Sequence, residues 1–379
     1  MTDGNPAPAA PPPVLRPIGA GEPLPWFHAA TAANPTYLID TVAGRHIVLS
    51  VPGPLTAAPG CGLLDFLRGP AAARFDDVDV AFFGVATEGA DVADGRAVDR
   101  LPGIRWFHDF GGELARILGS DGSPARAHTL VVDPAMRVVA RFSMADPEAH
   151  NAALAAMLRS LPPIADDEWS VGDAPVLVVP RIFEPELCRR LIAFYDREGG
   201  SESGFMRSQD GRSVGVFDAS RKRRSDCMIE DEALCRELAQ RITRRLVPMI
   251  ERAMNFRATR IERYVVACYD GATRGFFTAH RDNTTPATRH RRFAVTINLN
   301  ADEYEGGDLR FPEFGRRTYR APTGGAVVFS CSLMHEALPV TRGRRYAFLP
   351  FLYDDDAARI RDETRSLIVA PGEPAAGSG

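Results

Sequence analysis

The first 163 residues carry short apolar runs that alternate with helix-like segments. The apolar runs predict strands at 45–51, 78–85, 128–133 and 138–142. The segments between and after them predict helices at 63–73, 114–118 and 147–161. The last two strands follow each other closely enough to form a hairpin. Strands that alternate with helices predict an α/β sheet, which we assign to a domain spanning residues 18–163.

The second half of the chain has a different pattern, in which strand-like runs are separated by glycine-rich turns. Strands are predicted at 265–269, 276–282, 293–300, 325–330 and 344–353. Many short strands of this kind predict a β-sandwich or jelly roll, here within residues 175–358. Residues 164–174 are the predicted linker between the two domains. The proline- and alanine-rich leader at 1–17 and the tail at 371–379 are predicted to be disordered.

The most informative polar residues in the second half are His280, Asp282 and His335. The spacing of His280 and Asp282 suits a strand, because alternate side chains of a strand point to the same face. Two histidines and a carboxylate can occupy one face of an Fe(II) octahedron and leave three positions open for a chelating co-substrate and O2. An H-x-D triplet alone is a weak signal, so the prediction of a metal site depends on the strands around it.

Residues 175–355 resemble the Fe(II)/2-oxoglutarate dioxygenases of the prolyl 4-hydroxylase type. The matching segments follow the family's order, at 267–269, 280–283, 299–300, 305–310 and 335–346. The resemblance implies a double-stranded β-helix, which is a jelly roll with flanking helices. It also implies that oxidative decarboxylation of 2-oxoglutarate is coupled to hydroxylation of an unactivated C–H bond. Fe(II), 2-oxoglutarate and ascorbate are the cofactors and co-substrates that this implies.

The same resemblance implies roles at single positions. His280, Asp282 and His335 match the iron ligands of the family. Arg345 matches the basic residue that binds the distal carboxylate of 2-oxoglutarate, and its planar guanidinium can do so with two hydrogen bonds. Arg344 is the competing residue, and strand alternation lets only one of the two face the pocket. The family's register favours Arg345.

Two further positions match polar contacts to the co-substrate. Tyr269 matches a tyrosine that hydrogen-bonds 2-oxoglutarate, and Asn298 lies where some relatives have a second polar contact. A sheet-packing aromatic is the alternative for Tyr269. A residue without any contact to the co-substrate is the alternative for Asn298.

Residues 18–163 resemble the peroxiredoxin branch of the thioredoxin fold, in the segments at 21–27 and 129–134 and in the order of elements. Peroxiredoxins use a P-x-x-x-T-x-x-C motif, in which the threonine and the loop orient a low-pKa thiolate. Residues 52–56 fit the first half of this motif, but Pro59 stands at the position of the cysteine.

Cys61 lies two residues beyond the expected position of the reactive cysteine. An offset of two residues turns a helical side chain by roughly 200°. The next cysteine along the chain is Cys188, so this domain has no evident resolving cysteine. We therefore expect a degenerate domain that docks a substrate or partner, and Cys61 as a redox thiol is the alternative.

Charge gives little support for a polyanionic partner. The formal net charge is −4, which does not indicate a polyanion-binding protein as a whole. Basic runs at 221–224 and 290–292 are interpreted as solvent-exposed faces or loops. The first run also falls where the resemblance implies a basic segment near the site, so substrate contact is the alternative. Aromatic residues do not interleave with these runs, so nucleic acid is not an expected partner.

The six cysteines are scattered, and none forms a C-x-x-C pair or has zinc-site spacing. Scattered thiols indicate a reducing compartment, so we predict the cytoplasm. No apolar run approaches the ~20 residues of a membrane span. The leader has no charged region followed by an apolar core, so we do not expect it to be a signal peptide.

Two classes of function follow from these patterns. The first is an Fe(II)- and 2-oxoglutarate-dependent dioxygenase that hydroxylates a protein, a peptide or a small molecule. The second is a non-catalytic binding or thiol-redox protein whose jelly roll is inactive. An intact set of His280, Asp282, His335 and Arg345 argues for the first. The sequence does not reveal the substrate.

Overall fold

The chain divides into two compact units, at residues 1–166 and 167–379. The computed structural model describes residues 15–164, 172–209 and 211–369. The predicted leader and linker lie largely outside these residues, and the predicted tail lies wholly outside them. Each unit has hydrophobic clusters of its own.

The first unit is built from seven strands and four helices among the described residues. The strands are β1 His28–Ala29, β2 Tyr37–Leu38, β3 His46–Val51, β4 Val80–Ala86, β5 Ile104–His108, β6 His128–Val132 and β7 Val138–Ser143. The helices are α1 Ala58–Arg68, α2 Gly89–Ala93, α3 Glu113–Ile117 and α4 Pro147–Ser160.

The central sheet of this unit has the order β5-β4-β3-β6-β7. Strands β3, β4 and β5 run parallel, whereas β6 and β7 are antiparallel to their neighbours. All residues of β3, β4 and β6 are buried, as expected for strands covered on both faces. The predicted α/β sheet is therefore present, with β6 and β7 forming the predicted hairpin. The edge strand β5 was not predicted.

The second unit is mostly sheet. Its strands are β8 Leu177–Val179, β9 Ser201–Glu202, β10 Phe205–Gln209, β11 Arg212–Val216, β12 Lys222–Arg223, β13 Ser225–Met228, β14 Arg260–Ile261, β15 Val265–Asp270, β16 Phe276–His280, β17 Phe293–Asn298, β18 Glu305–Gly306, β19 Leu309–Arg310, β20 Thr318–Tyr319, β21 Ala326–Ser330, β22 His335–Ala337, β23 Val340–Arg342, β24 Arg344–Phe348, β25 Phe351–Tyr353 and β26 Ile368–Val369. Its helices are α5 Pro185–Glu198, α6 Glu232–Arg241, α7 Val247–Met254 and α8 Asp355–Thr364.

Two sheets of this unit position the candidate site. The larger sheet has the order β14-β25-β17-β24-β15-β13-β9, with β21 and β8 attached through β17. The smaller sheet has the order β12-β16-β22-β19-β20. Aromatic residues pack together between the sheets, including Tyr269 and Phe329 from the larger sheet and Phe311, which directly follows β19 of the smaller one. The arrangement is the predicted jelly roll.

Helices cover the outer face of the larger sheet. Cys268 and Tyr346 belong to the cluster that includes Leu191 of α5 and Leu238 of α6. Tyr269 is a neighbour of Cys268 in β15, and it belongs instead to the inner cluster. Strand alternation therefore divides β15 and β24 into an outer face against the helices and an inner face toward the smaller sheet.

Two predicted strand boundaries were wrong. The predicted strand 344–353 is two strands, β24 and β25, separated at Leu349 and Pro350. Proline has no backbone N–H, so it cannot continue a strand ladder on both sides. The predicted strand 276–282 ends at His280. Across the described residues, the helices are all too short or too polar to cross a bilayer.

Candidate metal centre and co-substrate pocket

The three candidate ligands cluster where strand β16 pairs with strand β22. They are His280, Asp282 and His335. His280 is the last residue of β16, and His335 is the first residue of β22 directly opposite it. The three side chains offer ligand atoms that all lie within 4.8 Å of one another. Nε2 of His280 is 3.6 Å from Oδ1 of Asp282, and Nε2 of His335 is 3.3 Å from Oδ2. The predicted trio is therefore brought together by the fold.

Asp282 reaches the cluster from a turn, not from the strand that the spacing suggested. Its backbone N–H donates to the carbonyl of Cys331 at 3.0 Å. The preceding residue, Arg281, is buried and forms an ion pair with Glu313 at 2.8 Å. These two contacts fix the turn after β16, and they turn the Asp282 carboxylate toward the histidines.

Backbone hydrogen bonds orient both imidazoles. Nδ1 of His280 lies 2.7 Å from the carbonyl oxygen of Thr278, and Nδ1 of His335 lies 3.0 Å from that of Leu333. A carbonyl can only accept, so each Nδ1 carries the proton and each Nε2 keeps a lone pair directed into the cluster. Metal-binding histidines commonly have this arrangement.

The local electrostatics keep Asp282 and His335 in their metal-binding forms. Burial alone would raise the pKa of Asp282, but His335 and His280 hold it well below the usual range. Burial, with a smaller effect of His280, lowers the pKa of His335 to about 4. At neutral pH the cluster thus offers a carboxylate and a neutral imidazole, the forms that bind a divalent cation. Two histidine nitrogens and one carboxylate fit Fe(II).

Arg345 lies on the inner face of β24 and is only 2% exposed. Its Nε and Nη1 atoms are buried and have no hydrogen-bond partner among the described residues. Its guanidinium carbon lies 5.0 Å from the centre of the Tyr269 ring. Buried donors without partners are costly, so these atoms fit a carboxylate that binds there. Arg344 is exposed and pairs with Asp270 at 3.1 Å, as the predicted register requires.

Tyr269 and Asn298 are both buried, and their hydrogen bonds leave different groups available to a ligand. The Tyr269 hydroxyl accepts from Nη1 of Arg224 at 3.3 Å and can still donate its own proton. Nδ2 of Asn298 donates to the carbonyl of Ala321 at 2.7 Å, which leaves its buried Oδ1 unpartnered. A carboxylate needs a donor, so this geometry does not favour the contact predicted for Asn298. Both co-substrate roles stay predictions.

The basic run at 221–224 is not the solvent-exposed face that we expected. Lys222 and Arg224 are buried, whereas Arg223 between them is exposed. Burial and the neighbouring Arg224 lower the pKa of Lys222 to about 6. His290 in the second basic run is also buried, and it contacts Glu262 at 3.0 Å. Residues 222 and 224 point to the same face of a strand, and this alternation could have predicted that both are buried.

Aromatic rings pack on the two candidate histidines, and an ion pair lies beside Tyr269. Phe277 stacks on the His280 imidazole at 3.6 Å between ring centres, and Phe329 lies 4.5 Å from that of His335. Arg224 forms a bidentate ion pair with Asp226, with both hydrogen bonds at 2.7 Å. Burial would raise the pKa of Asp226, but Arg224 lowers it to about 2.

Cys61 belongs to the other unit and to helix α1, which begins at Ala58 and not at residue 63 as predicted. Pro59, at the position of the missing cysteine, is buried. Cys61 is exposed, and its Sγ lies 3.4 Å from the carbonyl oxygen of Leu55 and 3.6 Å from that of Thr56. A neutral thiol can donate to these oxygens, whereas a thiolate cannot.

Comparison with known proteins assigns the C-terminal region. Residues 264–353 match the 2OG-Fe(II) oxygenase superfamily. A PKHD-type hydroxylase from Stutzerimonas stutzeri (strain A1501) is 28% identical over 162 residues, which cover 40% of this chain and 71% of that protein. The candidate ligands and Arg345 all lie within the matched segment. The C-terminal region therefore contains a 2OG-Fe(II) oxygenase domain with a jelly-roll fold.

Solved structures show only distant similarity. A prolyl hydroxylase from Trichoplax adhaerens, in complex with a hypoxia inducible factor peptide fragment, is 16% identical, with a TM-score of 0.36. The similarity covers 50% of this chain and 86% of that one. Peroxidoxin BcpB from Mycobacterium tuberculosis is 20% identical, with a TM-score of 0.31, over 38% of this chain and 99% of that one. The peroxiredoxin-like assignment of residues 18–163 stays a prediction.

Proposed function

We propose that this chain is an Fe(II)- and 2-oxoglutarate-dependent hydroxylase that oxidises a C–H bond and releases succinate and CO2. The oxygenase domain and the hydroxylase relative support an oxidoreductase of this class. The observation that carries the proposal is the clustering of His280, Asp282 and His335 in the same jelly roll as a buried, incompletely paired Arg345. No described contact favours the alternative of an inactive jelly roll.

The residues of the pocket divide into two tasks. His280, Asp282 and His335 would hold Fe(II), and Arg345 would hold the distal carboxylate of 2-oxoglutarate through its unpaired N–H groups. Fe(II) and 2-oxoglutarate, when bound, would supply the oxidising chemistry for the C–H bond. The chain itself orients the imidazoles through backbone carbonyls, and the Phe277 ring stacks on that of His280.

Succinate release tests this proposal directly. The full chain, incubated with Fe(II) and 2-oxoglutarate, should form succinate, and a metal chelator should stop the reaction. His280→Ala removes one of three ligands and should abolish succinate formation. His28→Ala, at an exposed histidine in the other unit, should keep it. Full activity of His280→Ala would contradict the assignment.

We also propose a compartment and a reductant for this reaction. All six cysteines are free thiols, which supports a reducing compartment such as the cytoplasm. We include ascorbate as the reductant that keeps the iron as Fe(II), so omitting it should shorten the time course of succinate release. The substrate, a peptide, a protein or a small molecule, is to be found by following hydroxylated product alongside succinate.

A further inference from the structure

Arg224 lies where the chain passes from one sheet of the second unit to the other. Strand β12, which ends at Arg223, pairs with β16 of the smaller sheet, and strand β13, which begins at Ser225, pairs with β15 of the larger sheet. Arg224 is the residue between these strands, and its side chain is only 5% exposed. Arginine is rarely this buried unless partners hold it, so the contacts of Arg224 indicate its role.

Arg224 continues a row of side chains that leads across the larger sheet to Arg345. Ser225 of β13 lies opposite Cys268 of β15, so the next pair along these antiparallel strands brings Arg224 beside Tyr269. Tyr269 in turn lies opposite Arg345 of β24. The guanidinium carbons of Arg224 and Arg345 lie 5.7 Å and 5.0 Å from the centre of the Tyr269 ring. Both cations are within the range of attraction to an aromatic ring.

Hydrogen bonds fix the Arg224 side chain before any ligand binds. Its Nε and Nη2 atoms each donate to the Asp226 carboxylate at 2.7 Å, and Nη2 also donates to Oγ of Ser203 at 3.1 Å. The backbone N–H of Ser203 donates to the carbonyl of Arg224 at 2.9 Å. Because Nε and Nη2 are occupied by these partners, Nη1 is left to donate to the Tyr269 hydroxyl at 3.3 Å.

This arrangement determines in which direction the Tyr269 hydroxyl can donate. A guanidinium has five donors and no acceptor, so the hydroxyl accepts from Arg224 and cannot donate back to it. Nη1 of Arg224 is the only hydrogen-bond partner of this hydroxyl within the ranges that the structure describes. Arg345, on the other side of the row, also has no acceptor. The phenol proton is therefore left for an acceptor in the pocket beside Arg345, and a carboxylate is such an acceptor.

We propose that Arg224 is a positioning residue for 2-oxoglutarate, which acts through Tyr269 and does not itself contact the co-substrate. It donates to one lone pair of the Tyr269 hydroxyl, so that the phenol proton points to a carboxylate of the co-substrate. The inference rests on the proposed function, because it names the group that orients a contact in the same pocket. It also gives the basic run at 221–224 a task in that pocket.

Calorimetric titration of the full chain, loaded with Zn(II), with 2-oxoglutarate tests this without turnover, since Zn(II) has no redox chemistry. Tyr269→Phe removes only the hydroxyl and should weaken binding by about tenfold. Arg224→Gln should weaken binding by about threefold, because the hydroxyl stays but is no longer ordered. The double variant should bind no more weakly than Tyr269→Phe alone, since Arg224 acts only through the hydroxyl.

Two further variants separate this role from a structural one. Arg224→Gln leaves Asp226 without its cation, whereas Arg224→Gln combined with Asp226→Asn removes both charges together. The combined variant should lose as much affinity as Arg224→Gln. Arg223→Gln changes the exposed neighbour in the same basic run and should leave the affinity unchanged. Thermal unfolding shows that each variant is folded under the conditions of the titration.

Three results would overturn the inference and leave the proposed function in place. One is an unchanged affinity in Arg224→Gln or in Tyr269→Phe. Another is a double variant that binds more weakly than Tyr269→Phe, which would mean that Arg224 acts independently of the hydroxyl. The third is an equal loss in Arg223→Gln, which would indicate a general effect of charge. The absence of 2-oxoglutarate binding by the unmodified chain would instead contradict the proposed function, and the inference with it.

Discussion

Arg344 and Arg345 are adjacent in β24, and their environments differ completely. Arg345 is 2% exposed with two unpaired buried nitrogens, whereas Arg344 is exposed and salt-bridged. Losing a desolvated charge partner typically costs about 2–5 kcal/mol. Arg345→Ala should therefore raise the concentration of 2-oxoglutarate needed for half-maximal turnover by roughly 100-fold. The measurement is succinate release against 2-oxoglutarate concentration.

The control for this prediction is the neighbouring variant. Arg344→Ala should have a much smaller effect on the 2-oxoglutarate requirement, because its side chain lies on the other face of the sheet. A larger effect in Arg344→Ala than in Arg345→Ala would mean that the strand register is wrong. Thermal unfolding of both variants separates a local effect from a loss of folded protein.

Individual residues were predicted best where chemistry restricts the choice. The set His280, Asp282 and His335 could be read from side-chain type and spacing, because few other residues bind a divalent metal. The turn that positions Asp282 could not be predicted, since it depends on a hydrogen bond to the carbonyl of Cys331, which is distant in sequence. Burial of Lys222 was missed because a run of charges normally indicates a solvated face.

Gly307, in the turn between β18 and β19, packs closely against the side chain of Arg345. Gly307 has φ of +70°, and an added Cβ would lie 2.7 Å from Cγ2 of Val340 and 3.2 Å from Cδ of Arg345. Left-handed strain at a non-glycine residue costs of order 1–3 kcal/mol. Gly307→Ala should therefore lower stability and also weaken 2-oxoglutarate binding, because the arginine stem must move. Denaturant unfolding and the 2-oxoglutarate titration measure the two effects.

Gly199, at the end of α5, provides a matched control. It also has positive φ, at +78°, but an added Cβ would meet no atom within 4 Å. Gly199→Ala should cost stability through strain and leave the 2-oxoglutarate titration unchanged. Equal titration curves for Gly307→Ala and the unmodified chain would show that the turn does not position Arg345.

Helix α1 presents Cys61 in a way that does not favour peroxide chemistry. Pro59 occupies the position of the expected cysteine, and the Cys61 thiol lies near the carbonyl oxygens of Leu55 and Thr56. A peroxidatic cysteine needs a stabilised thiolate. The metal-free chain should therefore consume peroxide no faster in its unmodified form than in Cys61→Ser, as followed by the loss of hydrogen peroxide.

A second cysteine variant makes this test specific. Cys235→Ser removes a partly buried thiol in the other unit and should give the same slow background rate. Rapid peroxide consumption that disappears in Cys61→Ser but persists in Cys235→Ser would restore Cys61 as the redox thiol. The role of a degenerate docking domain would then be wrong.

Elements were predicted most reliably where apolar runs are unbroken. Strands β3, β4 and β6 are wholly buried, and their apolar sequences predicted them correctly. The strand β5 carries Arg105 and His108 within a short segment, so its sequence lacks such a run. The break at Pro350 follows from a missing N–H, yet the flanking apolar residues hid it.

At the scale of the whole molecule, the sequence patterns predicted two domains of different class. The structure divides into two compact units, one α/β and one mostly sheet, and the predicted domain bounds stay a prediction. The peroxiredoxin resemblance of residues 18–163 and the use of that domain stay predictions, because a fold does not determine a function. The substrate also could not be predicted, since a jelly-roll scaffold admits many ligands.

Removing the first unit tests what it contributes. Each unit has its own core, so a chain that lacks residues 1–165 should fold. If the first unit docks a protein substrate or a partner, its loss should leave uncoupled 2-oxoglutarate turnover largely intact, because all candidate site residues for iron and co-substrate lie in the second unit. Hydroxylation of the true substrate should fall, since docking raises the local concentration of substrate. Succinate and hydroxylated product, measured in parallel, separate the two activities. Equal loss of both would mean instead that the first unit serves only to stabilise the fold.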